Sequence, residues 1–313
     1  MEIFLVGDEL QPRATRIRDN LIYQEWHRTD QRPSVLANRI LLPPAGHFEQ
    51  VAAFLCIEII RSDVATDMPR AFARAEPMIE LALDRLRLAD EDLLGLCGEL
   101  VLLQALLRAA QPDTKLEIIR GWKGHRRSAR DFELNGTGIE VKTTTGAASS
   151  HHMAGLHQVE AGHTESGEPE RRFYLASIGL AWLSPSQAET SATFKLSALA
   201  DSILAEMTTA EISQDTVAWF IQAMREYGTD PNRGYDHTDI DSRHLYDRPF
   251  AIAFARLYDM ADPGVQVMRS DDVVSHPFTD ASSLRFRINL PDQVGGDFNP
   301  TVGMGQIAQT IVG

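Results

Sequence analysis

The sequence predicts an α/β fold whose central core, residues 89–185, runs in the order helix, three strands, helix and strand. One observation is a change of periodicity: an almost continuously apolar helical pattern at 93–107 gives way to short runs of strand character. A second is the dipeptide Asn135-Gly136 between two such runs, which is a strong signal for a β-hairpin. We expect residues 1–88 and 186–313 to form α+β extensions on either side.

The N-terminal region combines short strand-like runs with helical patterns. The apolar segment at 51–60 (VAAFLCIEII) fits a helix or a strand equally well. A helical pattern opens at Pro69, and Pro77 predicts a kink or a break within it. Asp90 or Asp92 is then placed to cap the next helix, which runs to about Arg108.

The core elements follow this helix. We expect a short helix from about Met153 to Glu160 after the three strands, and two amphipathic helices in the C-terminal region. The predicted strands lie at 116–122 (LEIIRGW), 129–134 (ARDFEL), 138–145 (GIEVKTTT), 171–183, 248–259 and 283–290.

Composition sets the broad class. Hydrophobic residues make up 43% and charged residues 24%, which is ordinary for a folded protein. No apolar run reaches membrane-spanning length, and the N-terminus lacks the pattern of a secretory signal. Cys56 and Cys97 both lie in apolar sequence, which favours buried thiols over a disulfide or a zinc site. We therefore expect a cytoplasmic protein with no membrane partner.

The charge distribution bears on nucleic-acid binding. The net charge of −14 argues against a polyanionic partner, because phosphate binding uses Lys and Arg. Between Lys115 and Lys142, however, seven basic residues stand against four acidic ones, a local charge of +3. A binding surface is local, so this reversal permits a nucleic acid without demonstrating one.

The predicted hairpin brings charged side chains together. Side chains alternate faces along a strand, so Glu140 and Lys142 share one face. A two-residue loop would pair Asp131 with Glu140, and a four-residue loop would pair Asp131 with Lys142. A slip by one residue would instead place Phe132 on the charged face. The hydrophobic pattern alone therefore clusters two carboxylates and an ammonium.

Such a cluster suits metal-assisted phosphodiester hydrolysis, although a solvated sheet face with a cross-strand ion pair is the simpler alternative. Mg²⁺ prefers oxygen ligands, and Mn²⁺ is able to substitute. Asp131 and Glu140 could supply carboxylates, and the carbonyl of Val141 could add a ligand. Lys142 could orient or help to deprotonate the attacking water. Glu99 strengthens the metal hypothesis, because a carboxylate in an apolar helix requires a cation, a hydrogen bond or a proton.

The motifs Gly98-Glu99, Asp131 and Glu140-Val141-Lys142 resemble those of the PD-(D/E)xK nuclease superfamily. The order of elements from about 90 to 183 resembles its αβββαβ, restriction-endonuclease-like core. The stretches LCGELVLL, GWKG, RDFEL, IEVKTT and HQVE are similar to a group of bacterial PD-(D/E)xK proteins. Members of that group are often encoded beside DNA methyltransferases and helicase-like ATPases in restriction or phage-defence loci.

The resemblance implies roles for individual residues. Asp131 and Glu140 would be metal ligands, Lys142 the catalytic lysine, and Glu99 a helix carboxylate that supports the site and the metal. Gln158 occupies the position of a polar residue that faces the site in many of these enzymes. The superfamily also contains members that have lost activity, so the motif implies competence for cleavage and does not prove it.

Basic residues beside the motif are candidates for DNA contact, with a solvated basic loop as the alternative. A departure from the superfamily pattern is that Arg130, not proline, precedes Asp131. Four histidines between residues 151 and 163 have no standard zinc spacing. The candidate DNA-binding residues are Lys123, Arg126, Arg127 and Arg130.

These observations predict a Mg²⁺-dependent DNA endonuclease acting in a restriction or phage-defence system. Its expected partners are DNA and a methyltransferase or an ATPase/helicase subunit, and a homodimer would supply two active sites for double-strand cutting. A non-catalytic DNA-binding or assembly subunit with the same fold is the main alternative. An enzyme acting on RNA is a third.

Overall fold

The computed structural model of the protein describes most of the 313 residues. No helix in the described part of the chain is long and apolar enough to cross a membrane. The described residues are 2–13, 15–18, 21–27, 33–41, 48–61, 67–84, 90–126, 128–188, 193–228, 234–294 and 298–313.

Helices and strands are spread along the whole chain, and two 3₁₀ turns lie at Leu156–Gln158 and Ala281–Ser283. The helices are α1 (Thr15–Arg18), α2 (Phe48–Arg61), α3 (Met68–Asp84), α4 (Asp90–Ala109), α5 (Lys115–Gly121), α6 (Pro185–Ala188), α7 (Leu196–Thr209), α8 (Gln214–Arg225), α9 (Ile240–Tyr246), α10 (Ser270–Val274) and α11 (Met304–Val312). The strands are β1 (Glu2–Val6), β2 (Leu21–Trp26), β3 (Val35–Leu41), β4 (Phe132–Leu134), β5 (Thr137–Thr144), β6 (Ser149–Met153), β7 (Arg172–Trp182), β8 (Phe250–Asp259), β9 (Phe286–Leu290) and β10 (Thr301–Val302).

The chain divides into two compact units, and the first comprises residues 1–88 with 239–245. Its antiparallel sheet has the order β1-β3-β2. The apolar sides of α2 and α3 pack into the same core as the sheet, around residues such as Ile40, Leu55 and Phe72. The segment at 51–60 is therefore helical, and α3 continues through Pro77.

The second unit comprises residues 89–238 and 246–313 and contains the predicted core. Its main sheet has the order β10-β8-β7-β5-β4, in which β5 and β7 are parallel and the other pairs are antiparallel. Strands β6 and β9 form a separate antiparallel pair. Because β8 and β10 belong to the main sheet, residues beyond 185 complete the same layer as the motif strands.

Helix α4 lies against this sheet, where it contacts β5 and β7, and it also contacts α7 and α11. Its apolar residues are buried almost all round, as expected of a helix enclosed by neighbours. Cys97 is a buried free thiol on this helix, and Cys56 on α2 is a half-buried one.

The hairpin has the two-residue Asn-Gly connection. Leu134 pairs with Thr137 and Phe132 pairs with Ile139. Asn135 and Gly136 have φ values of 50° and 74°, the left-handed conformation that a tight type I′ hairpin turn requires. Asp131 immediately precedes β4, and its backbone N–H donates to the Ile139 carbonyl at 3.1 Å.

The strand predicted at 116–122 is wrong, because this segment forms helix α5. Lys115, Ile118, Ile119 and Trp122 are all buried, and their spacing of three, four and seven residues is that of a helix face. Lys115 also pairs with Glu206 at 2.5 Å. Seven residues are too few for periodicity to separate this pattern from a strand.

The helix predicted from about Met153 to Glu160 is also wrong in part. The structure has strand β6 up to Met153, followed by a single 3₁₀ turn at Leu156–Gln158. The buried face of β6 carries Ser149 and His151 as well as Met153, so its alternation is not a hydrophobic one. The three strands between α4 and β7 are therefore β4, β5 and β6.

Candidate active site

Glu140 and Lys142 lie on the same face of β5, as the alternation of side chains requires. The Lys142 ammonium contacts Glu140 Oε1 at 2.8 Å, and Glu140 is 4% exposed. Gln158 also donates to Glu140 Oε1 from the 3₁₀ turn, at 2.7 Å, and accepts from the Ala154 N–H at 2.7 Å. One carboxylate oxygen is thus held by an ammonium and an amide.

Asp131 joins this group from the start of the hairpin. Its Oδ2 accepts a hydrogen bond from the backbone N–H of Val141 at 2.7 Å, which fixes the carboxylate beside β5. Burial raises the pKa of Asp131 well above its usual range, and the negative charges of Glu140 and Glu99 raise it further. The structure therefore brings Asp131 together with the residues of the β5 motif.

Glu99 reaches the same region from α4 and is buried there. Its Oε2 accepts from Trp122 Nε1 at 2.7 Å, and its Oε1 accepts from the Tyr227 hydroxyl at 2.6 Å. Burial raises the pKa of Glu99 to about 7, against the lowering effect of these two donors, while the charge of Glu140 adds to the rise. Both oxygens of Glu99 thus accept hydrogen bonds from neutral donors, while its negative charge raises the pKa of Asp131.

Two glycines make room for Glu99 and its helix. A Cβ added to Gly124 would lie 1.7 Å from Glu99 Oε2, so this position has space only for a hydrogen atom. A Cβ added to Gly98 would lie 2.0 Å from Oγ1 of Thr143 on β5. Gly98 therefore allows α4 to lie directly against the strand that carries Glu140 and Lys142.

The donors fit a hard divalent cation. Mg²⁺ is usually held by one or two carboxylates, with water and substrate phosphate completing its coordination. Asp131 and Glu140 offer such carboxylates, and the pKa values of Asp131 and Glu99 are raised first by burial and further by the neighbouring negative charges, which a bound cation would offset. No group of three His, Cys, Asp or Glu side chains within the described ranges is arranged to hold one ion. The chain would therefore supply only part of a coordination sphere.

The basic residues near the motif lie in different environments. Lys123 contacts Glu165 at 2.9 Å, whereas Arg126 is exposed, donates from Nε to His125 Nε2 at 3.0 Å and lies 3.9 Å from Glu165. Arg127 lies outside the described residues. The structure thus leaves Arg126 accessible to a ligand and partly engages Lys123.

Arg130 is placed differently from the expected DNA contact. Its guanidinium is 3% exposed and forms a bidentate pair with Glu170, with N–O distances of 2.8 and 2.7 Å. It also donates to the carbonyls of His157 and Glu160, at 2.5 and 2.8 Å, and lies 4.0 Å from the ring centroid of Phe173. A guanidinium enclosed in this way supports the loop that carries Gln158 and is not available to phosphate.

The contact of Tyr227 with Glu99 could not be predicted from the sequence, because the two residues are 128 positions apart in the chain. Nothing in the local sequence of Tyr227 distinguishes it from a core residue. The sequence pattern favours a core position for Trp122, which is fully buried, but its indole N–H also holds Glu99. A buried carboxylate needs donors, so Glu99 signals that partners exist without indicating which residues they are.

The helix carboxylate, the hairpin and the Glu-x-Lys strand define the core of a PD-(D/E)xK-type protein. Comparison with protein-family models gives a match over residues 46–246, to the family described as "Putative PD-(D/E)XK family member, (DUF4420)". The match covers more than half of the chain, and the protein belongs to this family. Searches of curated proteins and of solved structures each found no match.

Proposed function

We propose that this protein is a metal-dependent endonuclease that hydrolyses phosphodiester bonds in DNA. The observation that carries the proposal is the arrangement of Asp131, Glu140 and Lys142 at the β4–β5 hairpin. The Lys142 ammonium lies 2.8 Å from the Glu140 carboxylate, and the Asp131 carboxylate accepts a hydrogen bond from the N–H of Val141, the residue between them. The three side chains thus form a compact group of two acids and one ammonium. Membership of the PD-(D/E)XK family supports the same reading.

Asp131, Glu140 and the carbonyl of Val141 are the proposed ligands of a divalent cation, Mg²⁺ or Mn²⁺. When bound, such an ion lowers the pKa of a coordinated water and stabilises charge on the phosphate. Glu99 acts through its charge in this proposal, because both of its oxygens already accept hydrogen bonds. A direct metal contact, which the sequence also allows for Glu99, is therefore not part of the proposal.

Lys142 is the proposed catalytic lysine. Its ammonium carries three N–H donors, so it can keep the contact with Glu140 and also hold an attacking water or a phosphate oxygen. In either position it would stabilise negative charge that develops during hydrolysis. Gln158 keeps the Glu140 carboxylate in place and is a positioning residue.

The biological setting is proposed from the family resemblance. A nuclease of this group would act in the cytoplasm, within a restriction or phage-defence system and beside a methyltransferase or an ATPase/helicase. A homodimer would place two sites on the two strands of a duplex. These elements add to the proposed chemistry and do not alter the residues that perform it.

The test is to measure metal binding and cleavage in parallel. Mn²⁺ and Mg²⁺ are titrated calorimetrically into wild type, Asp131→Asn and Lys142→Met, and plasmid, linear duplex and RNA cleavage are followed in the same buffers. We expect Asp131→Asn to lose metal binding and cleavage together. We expect Lys142→Met to keep metal binding and to lose cleavage by roughly 10²-fold or more.

The control is Lys195→Met, which removes a half-exposed lysine whose contact is with Asp247 at 3.5 Å. It should cleave as wild type does. DNA binding without metal uptake or cleavage would overturn the proposal in favour of a binding subunit. Cleavage of RNA alone would overturn DNA as the substrate.

A further inference from the structure

A cleft of about 490 Å³ lies in the second unit, between the end of α5, the loop after it and the start of α8. Its volume is in the usual range for small-molecule sites. Three of its lining residues are basic: Arg120, Lys123 and Arg126. Asp215 is the acidic residue of the lining, so the cleft is positively charged in a protein of net charge −14.

Two basic residues of the cleft already contact a carboxylate. Glu165, which is half exposed, contacts Lys123 at 2.9 Å and Arg126 at 3.9 Å. The hydrogen bond from Lys123 lowers the pKa of Glu165, so this carboxylate is ionised at neutral pH. A second anion that binds here would compete with Glu165 for the same donors.

The opposite wall of the cleft is the first turns of α8, a helix of 12 residues. Ser213 caps this helix and Thr216 follows one turn later, and both residues line the cleft. Unpaired N–H groups and the helix dipole give such a helix start a partial positive charge. The Thr216 N–H already donates to Ser213, and Asp215 lies in the same turn, so the three basic side chains provide most of the attraction for an anion.

Trp219 supplies a flat apolar surface in the same cleft and is half-buried. Its ring meets that of His125 edge to face, with centroids 5.2 Å apart, and His125 lies 5.4 Å from Trp122. The Trp219 indole thus contacts one ring, that of His125, which in turn contacts Trp122. Cations beside an aromatic platform are the combination that binds single-stranded nucleic acid, through the backbone and a stacked base.

The cleft adjoins the candidate active site along the chain. Trp122, beside Lys123, donates to Glu99, and the backbone N–H of Lys123 donates to the Asp131 carbonyl at 2.7 Å. We propose that the cleft binds one nucleotide of the substrate strand close to the scissile phosphate. Its phosphate lies against Arg120, Lys123 and Arg126, and its base stacks on Trp219.

This inference rests on the proposed function and specifies its substrate. A base that stacks on Trp219 cannot at the same time remain paired and stacked in a duplex. The preferred substrate is therefore a strand that is unpaired or flipped out at this nucleotide. Fully paired DNA would use the basic residues alone.

The test uses the full chain with Asp131→Asn as the background, so that bound DNA is not cleaved. Fluorescence anisotropy measures the affinity for three labelled DNAs: a single strand, its duplex, and the duplex with one unpaired 2-aminopurine. We expect Trp219→Leu to weaken binding of the first and third about 10-fold, as loss of one stacked base implies. Duplex affinity should change less than about twofold, because backbone contacts remain.

Matched variants separate stacking from folding. Trp182→Leu removes an indole that packs with Arg248 and Phe250, outside the cleft, and should bind all three DNAs as the background does. Trp219→Phe keeps an aromatic face and should restore most of the affinity. Glu165→Gln should tighten binding of all three, because it removes the competing carboxylate.

The outcomes distinguish this inference from the proposed function. Equal binding by Trp219→Leu and Trp182→Leu, or equal weakening of all three DNAs by Trp219→Leu, would overturn the inference even if the wild type cleaves DNA. If dAMP displaces the oligonucleotide at an equal concentration, the cleft is a site for a free nucleotide, and this result would also overturn the inference. Failure of the wild type to cleave, with the Trp219 effect intact, would overturn only the endonuclease proposal.

Discussion

The indole N–H of Trp122 donates to the carboxylate of Glu99 at 2.7 Å, and this bond joins α4 to the loop after α5. Tyr227 holds the other oxygen of the same carboxylate. The buried glutamate thus has two neutral donors. Burial and the negative charge of Glu140 make its ionised form costly, and the Lys142 ammonium offsets part of that cost. This balance leads to measurable effects of pH and of substitution.

The first prediction concerns pH. The pKa of Glu99 is raised to about 7 from an ordinary value of 4.5. Its contribution to folding is therefore fully present below about 4.5 and is lost as pH rises through 7. We expect the melting temperature of Glu99→Gln, measured in EDTA and relative to that of wild type at the same pH, to be higher at pH 8 than at pH 5.5.

The quantity to follow is the difference in melting temperature between Glu99→Gln and wild type at each pH. His125 and His151 have pKa values lowered to about 4 by burial, so they change stability in the opposite direction at low pH. Both histidines are present in wild type and variant, and their effect cancels. Adding Mn²⁺ should reduce the gain at pH 8. A difference that does not vary with pH would contradict the prediction.

The second prediction concerns Tyr227. Replacing it with Phe leaves Glu99 Oε1 without its 2.6 Å donor in a buried setting. We expect a loss of about 1–3 kcal/mol in the free energy of unfolding, because a buried acceptor is left unpaired. Denaturant unfolding measures this loss. The pKa of Glu99 should also rise further, so the loss should be larger at pH 8 than at pH 5.5, and no pH dependence would contradict this explanation.

The third prediction concerns Gly124. An alanine here would place Cβ 1.7 Å from Glu99 Oε2, so the carboxylate or the loop has to move. We expect Gly124→Ala to weaken Mn²⁺ binding, measured by calorimetry, while far-ultraviolet circular dichroism stays unchanged. Gly305→Ala is the control, because nothing lies within 4 Å of its added Cβ. Equal Mn²⁺ affinity in the two variants would show that Glu99 does not influence the metal.

The fourth prediction separates two arginines. Arg130→Ala leaves Glu170 buried without its partner, and we expect a loss of about 3–5 kcal/mol in unfolding free energy. Arg126→Ala removes an exposed side chain and should change stability by less than about 0.5 kcal/mol. The effect on DNA affinity, measured per molecule of folded protein, should be the reverse: Arg126→Ala should weaken binding more than Arg130→Ala does. Loss of DNA affinity by Arg130→Ala with unchanged stability would contradict this assignment.

Strong local patterns make much of the site predictable. The Asn-Gly turn and the alternation that buries Phe132 are sufficient to place Asp131, Glu140 and Lys142 in one group, whichever of the two loop lengths is formed, and the structure has the two-residue loop. The apolar helix likewise identifies Glu99 as a carboxylate in need of partners. These inferences require only alternation and burial, which short sequences express clearly.

Other features depend on contacts that sequence does not reveal. Helix α5 resembles a strand in sequence, because its burial depends on packing against β4 and α4 rather than on local propensity. Strand β6 buries Ser149 and His151, whose hydroxyl and imidazole are satisfied by a network with Ser177. Tyr227 reaches Glu99 through the fold alone. Long-range packing decides all three.

The hydrogen bond between Asp131 and the Val141 N–H lies just beyond the end of the β4–β5 ladder. The last paired residues are Phe132 and Ile139, and beyond them a carboxylate occupies the place of a neighbouring strand. An open sheet edge is a template for pairing with another chain. Because Asp131 accepts from the Val141 N–H, this donor is not free to pair with another chain; Asp131→Asn keeps an acceptor at this position and Asp131→Ala does not.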